Sequence, residues 1–318
     1  LTATTLTTAN QSYDMNFYGG VSITNNVTFS NTGTLVIGNS SGLTNNFYAG
    51  VLATTPSSIT IQGMINANSG NITMGDVTTA LGLNHSGASF GGSTTGNITL
   101  GAVTGNVNGK LIIGSSGGTN TISVASINGR NRTVTINGST STVSGTITNT
   151  TTLDINNNTT LNGAVSATTI DVSGTSNLGA NVTTSGTQTY TGAVTLSAAT
   201  ITLTTTDSDV TFGSTIDSDA GQTRNLTIDT NGTTGTIQFG GVVGNTDGLG
   251  AMSITGNLDL DANIVDAASL SVSGTSNLGA NVTTSGNQTY TGAVTLSVNT
   301  ILTTTSNGAV YFGGTIDG

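Results

Sequence analysis

The sequence has no cysteine, no tryptophan and no glutamate, one proline (Pro56), and only four basic residues: Lys110, Arg130, Arg132 and Arg224. Each absence excludes something. Without cysteine there is neither a disulfide framework nor a thiolate metal site. Without glutamate, and with so few lysines and arginines, the residues that normally cover the exposed face of a soluble helix are missing. The Gly, Asn, Thr and Ser that replace them are poor helix formers, so a helical fold is not expected. A formal net charge of −10 excludes nucleic acid binding by phosphate neutralisation, and adsorption to an anionic membrane surface fails for the same reason. No apolar run approaches the ~20 residues of a membrane-spanning helix, so no membrane insertion by this segment is expected. Nor does the sequence open with the basic region of an export signal.

What remains is threonine, 68 residues of it, and 46 glycines, within 318 residues of which 34% are apolar. Val, Ile and Leu recur every few positions, which opposes disorder. They do so in short words such as LVI, ITI, LII, VTI, LDI, VTL and IQF, bounded by Gly, Asn, Asp or Ser-Gly. Apolar residues at i and i+2 share one face of a strand, and the Thr, Asp or Gln between them faces the other way. The chain therefore reads as all-β, built from short half-buried strands separated by tight turns.

The words repeat. VSGTSNLGANVTTSGTQTYTGAVTLS (Val172 to Ser197) returns as VSGTSNLGANVTTSGNQTYTGAVTLS (Val272 to Ser297), with Thr187 replaced by Asn287. At a constant offset of 100, residues 172–218 match residues 272–318, so 172–271 is a full module and 272–318 a truncated second copy. Upstream, GNITMGDV at Gly70 echoes GNITLGAV at Gly96, although residues 1–150 are less regular. Short strands and pervasive repetition favour a single continuous parallel β-solenoid over residues 1–318, in which each coil pairs with its neighbours and inward aliphatic residues stack into a core. Coils of roughly 20 to 25 residues predict on the order of 13 to 16 of them. In-register stacking also accounts for the missing charge. Like charges ~5 Å apart repel, whereas Asn, Thr and Ser form hydrogen-bonded ladders.

The run TTIDVSGTSNLGANVTTSGTQTYTGAVTLSAATITLTTT (Thr168 to Thr206) resembles the repeat regions of filamentous-haemagglutinin-like exoproteins and autotransporter passenger regions of bacteria. That resemblance implies a right-handed parallel β-helix, export to the cell surface, and a role as adhesin, matrix component or fibre.

Candidate chemistry is sparse. Asp207, Asp209, Asp217 and Asp219 form the densest acidic group; carboxylates at i and i+2 of one strand face would suit Ca²⁺, which takes six to eight oxygens. The second copy keeps only Asp317 of the first three, with Asn307 and Ala309 at the other two places, which favours solvated surface acids. His85 is the only histidine and has no partners for a catalytic triad or a zinc site. Arg130 and Arg132, two apart, would share a strand face. Tyr190, Tyr290, Phe212 and Phe312 are expected to pack along the coil ladder rather than to serve as sugar platforms. Sequons at Asn26, Asn71, Asn181, Asn225 and Asn281 are common enough to arise by chance.

The sequence therefore predicts a secreted, cell-surface structural segment: part of an extracellular fibre or adhesin stalk, without catalytic machinery and without a cofactor unless calcium. Its partners would be other copies of itself or further repeats of a longer chain. The alternative is a glycan- or host-binding adhesin domain, with binding sought around Asn10–Gly20 and Thr44–Gly50. A polysaccharide-degrading β-helix or an ice-binding solenoid fits less well, the first for want of glutamate and the second because the Thr spacing wanders.

Overall fold

The computed structural model describes residues 1–40, 42–79, 88–105 and 108–318, and among them there are strands and turns but no helix. The chain divides into two compact units, Leu1–Gly163 and Ala164–Gly318. Each is a parallel β-solenoid.

In the first unit the strands Val51–Ala53, Ser58–Ile61 and Gly63–Asn66 form three sides of one coil. The strands Ile72–Met74, Val77–Thr79 and Ala88–Gly91 lie on them in register, Ile72 on Val51, Val77 on Ile59 and Ala88 on Gly63. The GNIT echo is stacked the same way, with Ile72 beside Ile98. In the second unit Ser176–Leu178, Val182–Thr184 and Gln188–Tyr190 are followed one coil later by Val194–Leu196, Thr200–Thr204 and Val210–Phe212, again parallel. The advance per coil ranges from 17 residues (Val165 to Val182) to 27 (Val210 to Ile237), a wider spread than the strand words suggest. Turns absorb the difference.

The strand words behave as their alternation requires. Val210 and Phe212 are buried while Thr211 between them is partly exposed, and the same pattern holds for Ile237, Gln238 and Phe239. Inward residues stack into columns. One runs Tyr190, Phe212, Phe239, Leu260, Leu278, Leu296, and another runs Leu203, Ile228, Ile254, Val272, Tyr290, Phe312. Tyr190 and Tyr290 thus stand in different columns. A module of 100 residues is not a whole number of coils, so the second copy of the sentence is written on a different side of the solenoid from the first.

Ring geometry follows from register. Tyr190, Phe212 and Phe239 occupy equivalent positions in consecutive coils and stack face to face, centroids 5.4 Å apart at each step, as Tyr290 and Phe312 do at 5.5 Å. In the first unit Phe17, Phe29 and Phe47 come from different sides of their coils and meet edge to face at 5.9 and 6.0 Å. The edge-to-face arrangement suits the ring quadrupole, and the stacked one is imposed by the coil register.

Some glycines serve close approach rather than a left-handed turn. A Cβ on Gly192 would lie 2.4 Å from the Gly174 carbonyl oxygen, and one on Gly292 would lie 2.3 Å from that of Gly274. The Gly of each TGAV word is therefore required by the coil beneath it.

Candidate functional site

The acidic group was expected on one strand face, and Asp207 departs from that arrangement. Asp207 lies beyond the end of the strand Thr200–Thr204 and has φ +48°, a left-handed conformation that ends the alternation. Each carboxylate then finds a different structural partner. Asp207 Oδ1 accepts the N–H groups of Thr234 (2.8 Å) and Gly235 (3.2 Å) in the next coil, Asp209 Oδ1 accepts Thr236 N–H (2.8 Å), and Asp217 Oδ1 accepts Thr246 N–H (2.8 Å). Asp219 takes both the Nε and Nη2 donors of Arg224, at 2.5 and 2.9 Å. Among the described residues no three acidic or histidine side chains converge as a metal-binding set.

The electrostatics agree with these roles. The Thr234 N–H holds the Asp207 carboxyl below its ordinary range, Thr34 N–H does the same for Asp14, and the Arg224 hydrogen bond does so for Asp219 while raising the guanidinium in turn.

The same device recurs with asparagine. Asn71 Oδ1 accepts Asn97 N–H, Asn181 accepts Thr202, Asn225 accepts Ala251, Asn263 accepts Asn281 and Asn281 accepts Ile301, all at 2.8 to 2.9 Å. Four of the five sequon asparagines named above are thus engaged in capping the coil that follows. An Asx side chain at a turn reaches along the stacking direction and satisfies a backbone donor that a ladder bond does not. The ladders expected between side chains are in large part side chain to backbone.

The arginine pair departs from expectation. Arg130 and Asn131 have φ of +53° and +60°, so the backbone turns a corner between the two arginines, which do not share a regular strand face. Pairing with the neighbouring strand shifts register there, between Asn128 and Arg132. His85 lies outside the described residues.

A polar constellation built into the interior escaped the sequence reading. Gln188, fully buried, donates from Nε2 to Thr204 O (2.9 Å), Val182 O (3.3 Å) and Thr184 Oγ1 (3.3 Å), and accepts the Tyr190 hydroxyl at 3.1 Å. Gln288 repeats this with Thr303 O, Val282 O, Thr284 Oγ1 and Tyr290 at 2.8, 3.2, 3.3 and 3.2 Å. Burial pushes both phenols upward, so they stay protonated donors. The sole signal was that Gln and Tyr persist two apart in both copies. Such a satisfied knot fixes register and leaves no reactive group to spare.

The surface around the two stretches singled out for binding is more open. Tyr18 and Tyr48 are 54% and 38% exposed. Just after Tyr48 lies a shallow groove of about 330 Å³ lined by Asn26, Gly50, Leu52, Gly70, Asn71 and Thr73. Comparison of the chain with protein-family models, with curated proteins and with solved structures gave no match.

Proposed function

We propose that this chain is a structural segment of an extracellular bacterial fibre or adhesin stalk. The observation that carries this reading is the employment of the polar side chains. The residues best suited to chemistry, Asp207, Asp209, Asp217, Gln188 and Gln288, are spent on joining one coil to the next. The outer surface is left rich in Thr, Ser and Asn, sparsely charged and hydrogen-bonding, over a scaffold that holds itself in register. A material role uses these properties directly; catalysis uses none of them. The test is immunogold electron microscopy of producing cells with an antibody to residues 164–318. Label standing away from the envelope is expected, and label confined to the cytosol would overturn the reading.

A second reading is favoured by the exposed Tyr48, one residue before the Asn26–Asn71 groove, an aromatic face next to amides being the chemistry that receives a sugar ring. A glycan array with the full chain and with Tyr48→Ala separates the two readings. Binding lost in the variant would favour the adhesin domain, and absence of any bound glycan would remove it.

A further inference from the structure

The side of the first unit that carries the GNIT echo is ruled like a lattice. From coil to coil Ile72 pairs with Ile98, Ile98 with Ile122, Ile122 with Ser141 and Ser141 with Thr159, and the register does not shift in these strands. The advance meanwhile falls from 26 residues to 24, 19 and 18 over the same four steps. The threonine spacing that wanders along the chain is therefore constant on this side, because the turns elsewhere in each coil take up the change.

Two columns face outward here. One is Asn71, Asn97, Thr121, Thr140 and Asn158, all exposed; the other is Thr73, Thr99, Ser123, Thr142 and Thr160, exposed or half-buried. Coils about 4.8 Å apart, and residues i and i+2 about 6.6 Å apart, set the mesh. None of the ten positions carries a charge or a ring. The neighbouring side differs, stacking Asp76, Ala102 and Ser126 and losing register beyond Asn128.

The first column is braced by its own bonds. Asn71 Oδ1 accepts Asn97 N–H at 2.9 Å, Asn97 Oδ1 accepts Thr121 N–H at 3.3 Å, and Thr140 Oγ1 donates to Thr121 Oγ1 at 3.4 Å. The hydroxyls of the second column bond to no other group among the described residues. Four of its five residues are threonines, whose β-branching restricts χ1, so each of their coils offers a hydroxyl and a methyl in a fixed place. Side chains already held this way lose little entropy on binding.

Such a surface fits a partner that itself repeats. The face of a polysaccharide crystal is received by aromatic rings and a charged surface by opposite charge, and this side has neither. Water is the repeating partner that suits it. Hydroxyls at a spacing close to the a-axis repeat of hexagonal ice hold water in ice-like positions, and the methyls beside them leave that water bonded to other water. We propose that the Asn71–Thr160 side of the first unit binds the surface of an ice crystal. Ice binding goes beyond the structural-segment reading and does not rest on it: location in the cell tests the one, and frozen water tests the other.

The full chain is frozen slowly from dilute buffer, and the protein in the ice and in the remaining liquid is measured. The parent is expected to be enriched in the ice and to facet single crystals grown in its presence. Ser123→Lys, at the centre of the second column, and Thr99→Lys, one coil earlier, alter exposed side chains and should keep the β-sheet circular dichroism and melting of the parent. Each should fall to the ice fraction of an inert protein, while Thr78→Lys, exposed on the neighbouring side, should match the parent. A parent excluded from ice, lattice variants that enter ice like the parent, or an equal loss in Thr78→Lys would each overturn the assignment. So would pelleting of the parent with chitin or cellulose powder that Ser123→Lys abolishes, which would give the lattice to a polysaccharide instead.

Discussion

The two copies of the repeated sentence are nearly identical in words and unlike in setting. In the first, Leu203, Val210, Phe212 and Ile216 are sealed by the coil that follows; in the second, Leu302 and Val310 are half-buried and Phe312 and Ile316 exposed. Yet the Gln-Tyr knot, the Thr184 and Thr284 hydroxyl bonds to Gly186 and Gly286, and the pairing of Ser176 with Val194 and Ser276 with Val294 are the same in both. They hold although the copies occupy different sides of the solenoid. The word therefore fixes the contacts made within itself, and the coil after it supplies the remaining burial.

The copies also differ in one register. Thr202 and Ile301 are equivalent, each donating its N–H to the preceding coil's Asn181 or Asn281, and Thr205 and Thr304 are equivalent, bonding to Ser208 O and Gly308 O. The offset here is 99. It returns to 100 at Asp207 and Asn307, which share left-handed backbones of φ +48° and +61°. A lost strand residue is thus restored in the next turn. Side chains alternate along a strand, so the slip throws Ile301 to the outside, 64% exposed, although it aligns in sequence with the fully buried Ile201.

The largest expected effect is at the aromatic ladder. Tyr190→Ala should cost about 3 to 5 kcal/mol, the range for deleting a fully buried aromatic, and Tyr290→Ala roughly half that, since its outer neighbour Phe312 is itself exposed. Native-state hydrogen exchange on each coil reads the difference locally, and equal losses would contradict the asymmetry described here. Next comes the knot, where the copies should agree. Gln188→Ala and Gln288→Ala each leave a phenol and buried carbonyls unpaired, at about 1 to 3 kcal/mol apiece by the same measurement.

The third prediction concerns acid. A carboxyl whose folded pKa is depressed adds stability that is present above its unfolded value, near 4, and lost as pH falls through the folded one. Thermal melts of the parent should therefore decline below about pH 4. In Asp207→Asn the decline should be shallower, because the amide oxygen still accepts Thr234 N–H and does not titrate, much as Asn307 stands in the second copy. The smallest effect is at the one altered letter. Asn287 Oδ1 accepts Ala309 N–H at 3.0 Å, so Asn287→Thr should cost no more than about 1 kcal/mol, seen as faster exchange at Ala309.

The strand words, the inward columns and the aromatic stacking were legible because alternation is local: Val210, Thr211 and Phe212 declare their faces by themselves. The rest depends on residues a coil away. Nothing near Asp209 in sequence announces that its oxygen caps Thr236, nothing near Gly292 announces the Gly274 carbonyl beneath it, and a constant offset of 100 conceals the slip at Ile301. Acids close in sequence looked like a cluster because the left-handed corner at Asp207 has no distinctive letter.

The restored offset between Thr205 and Asp207 bears on how such a chain can change over generations. The loss of one codon and the gain of another within a few triplets leave every later strand in phase, so copying errors are forgiven side by side instead of spreading downstream. A gene written this way can lengthen, shorten and reword itself while its product keeps the same cross-section.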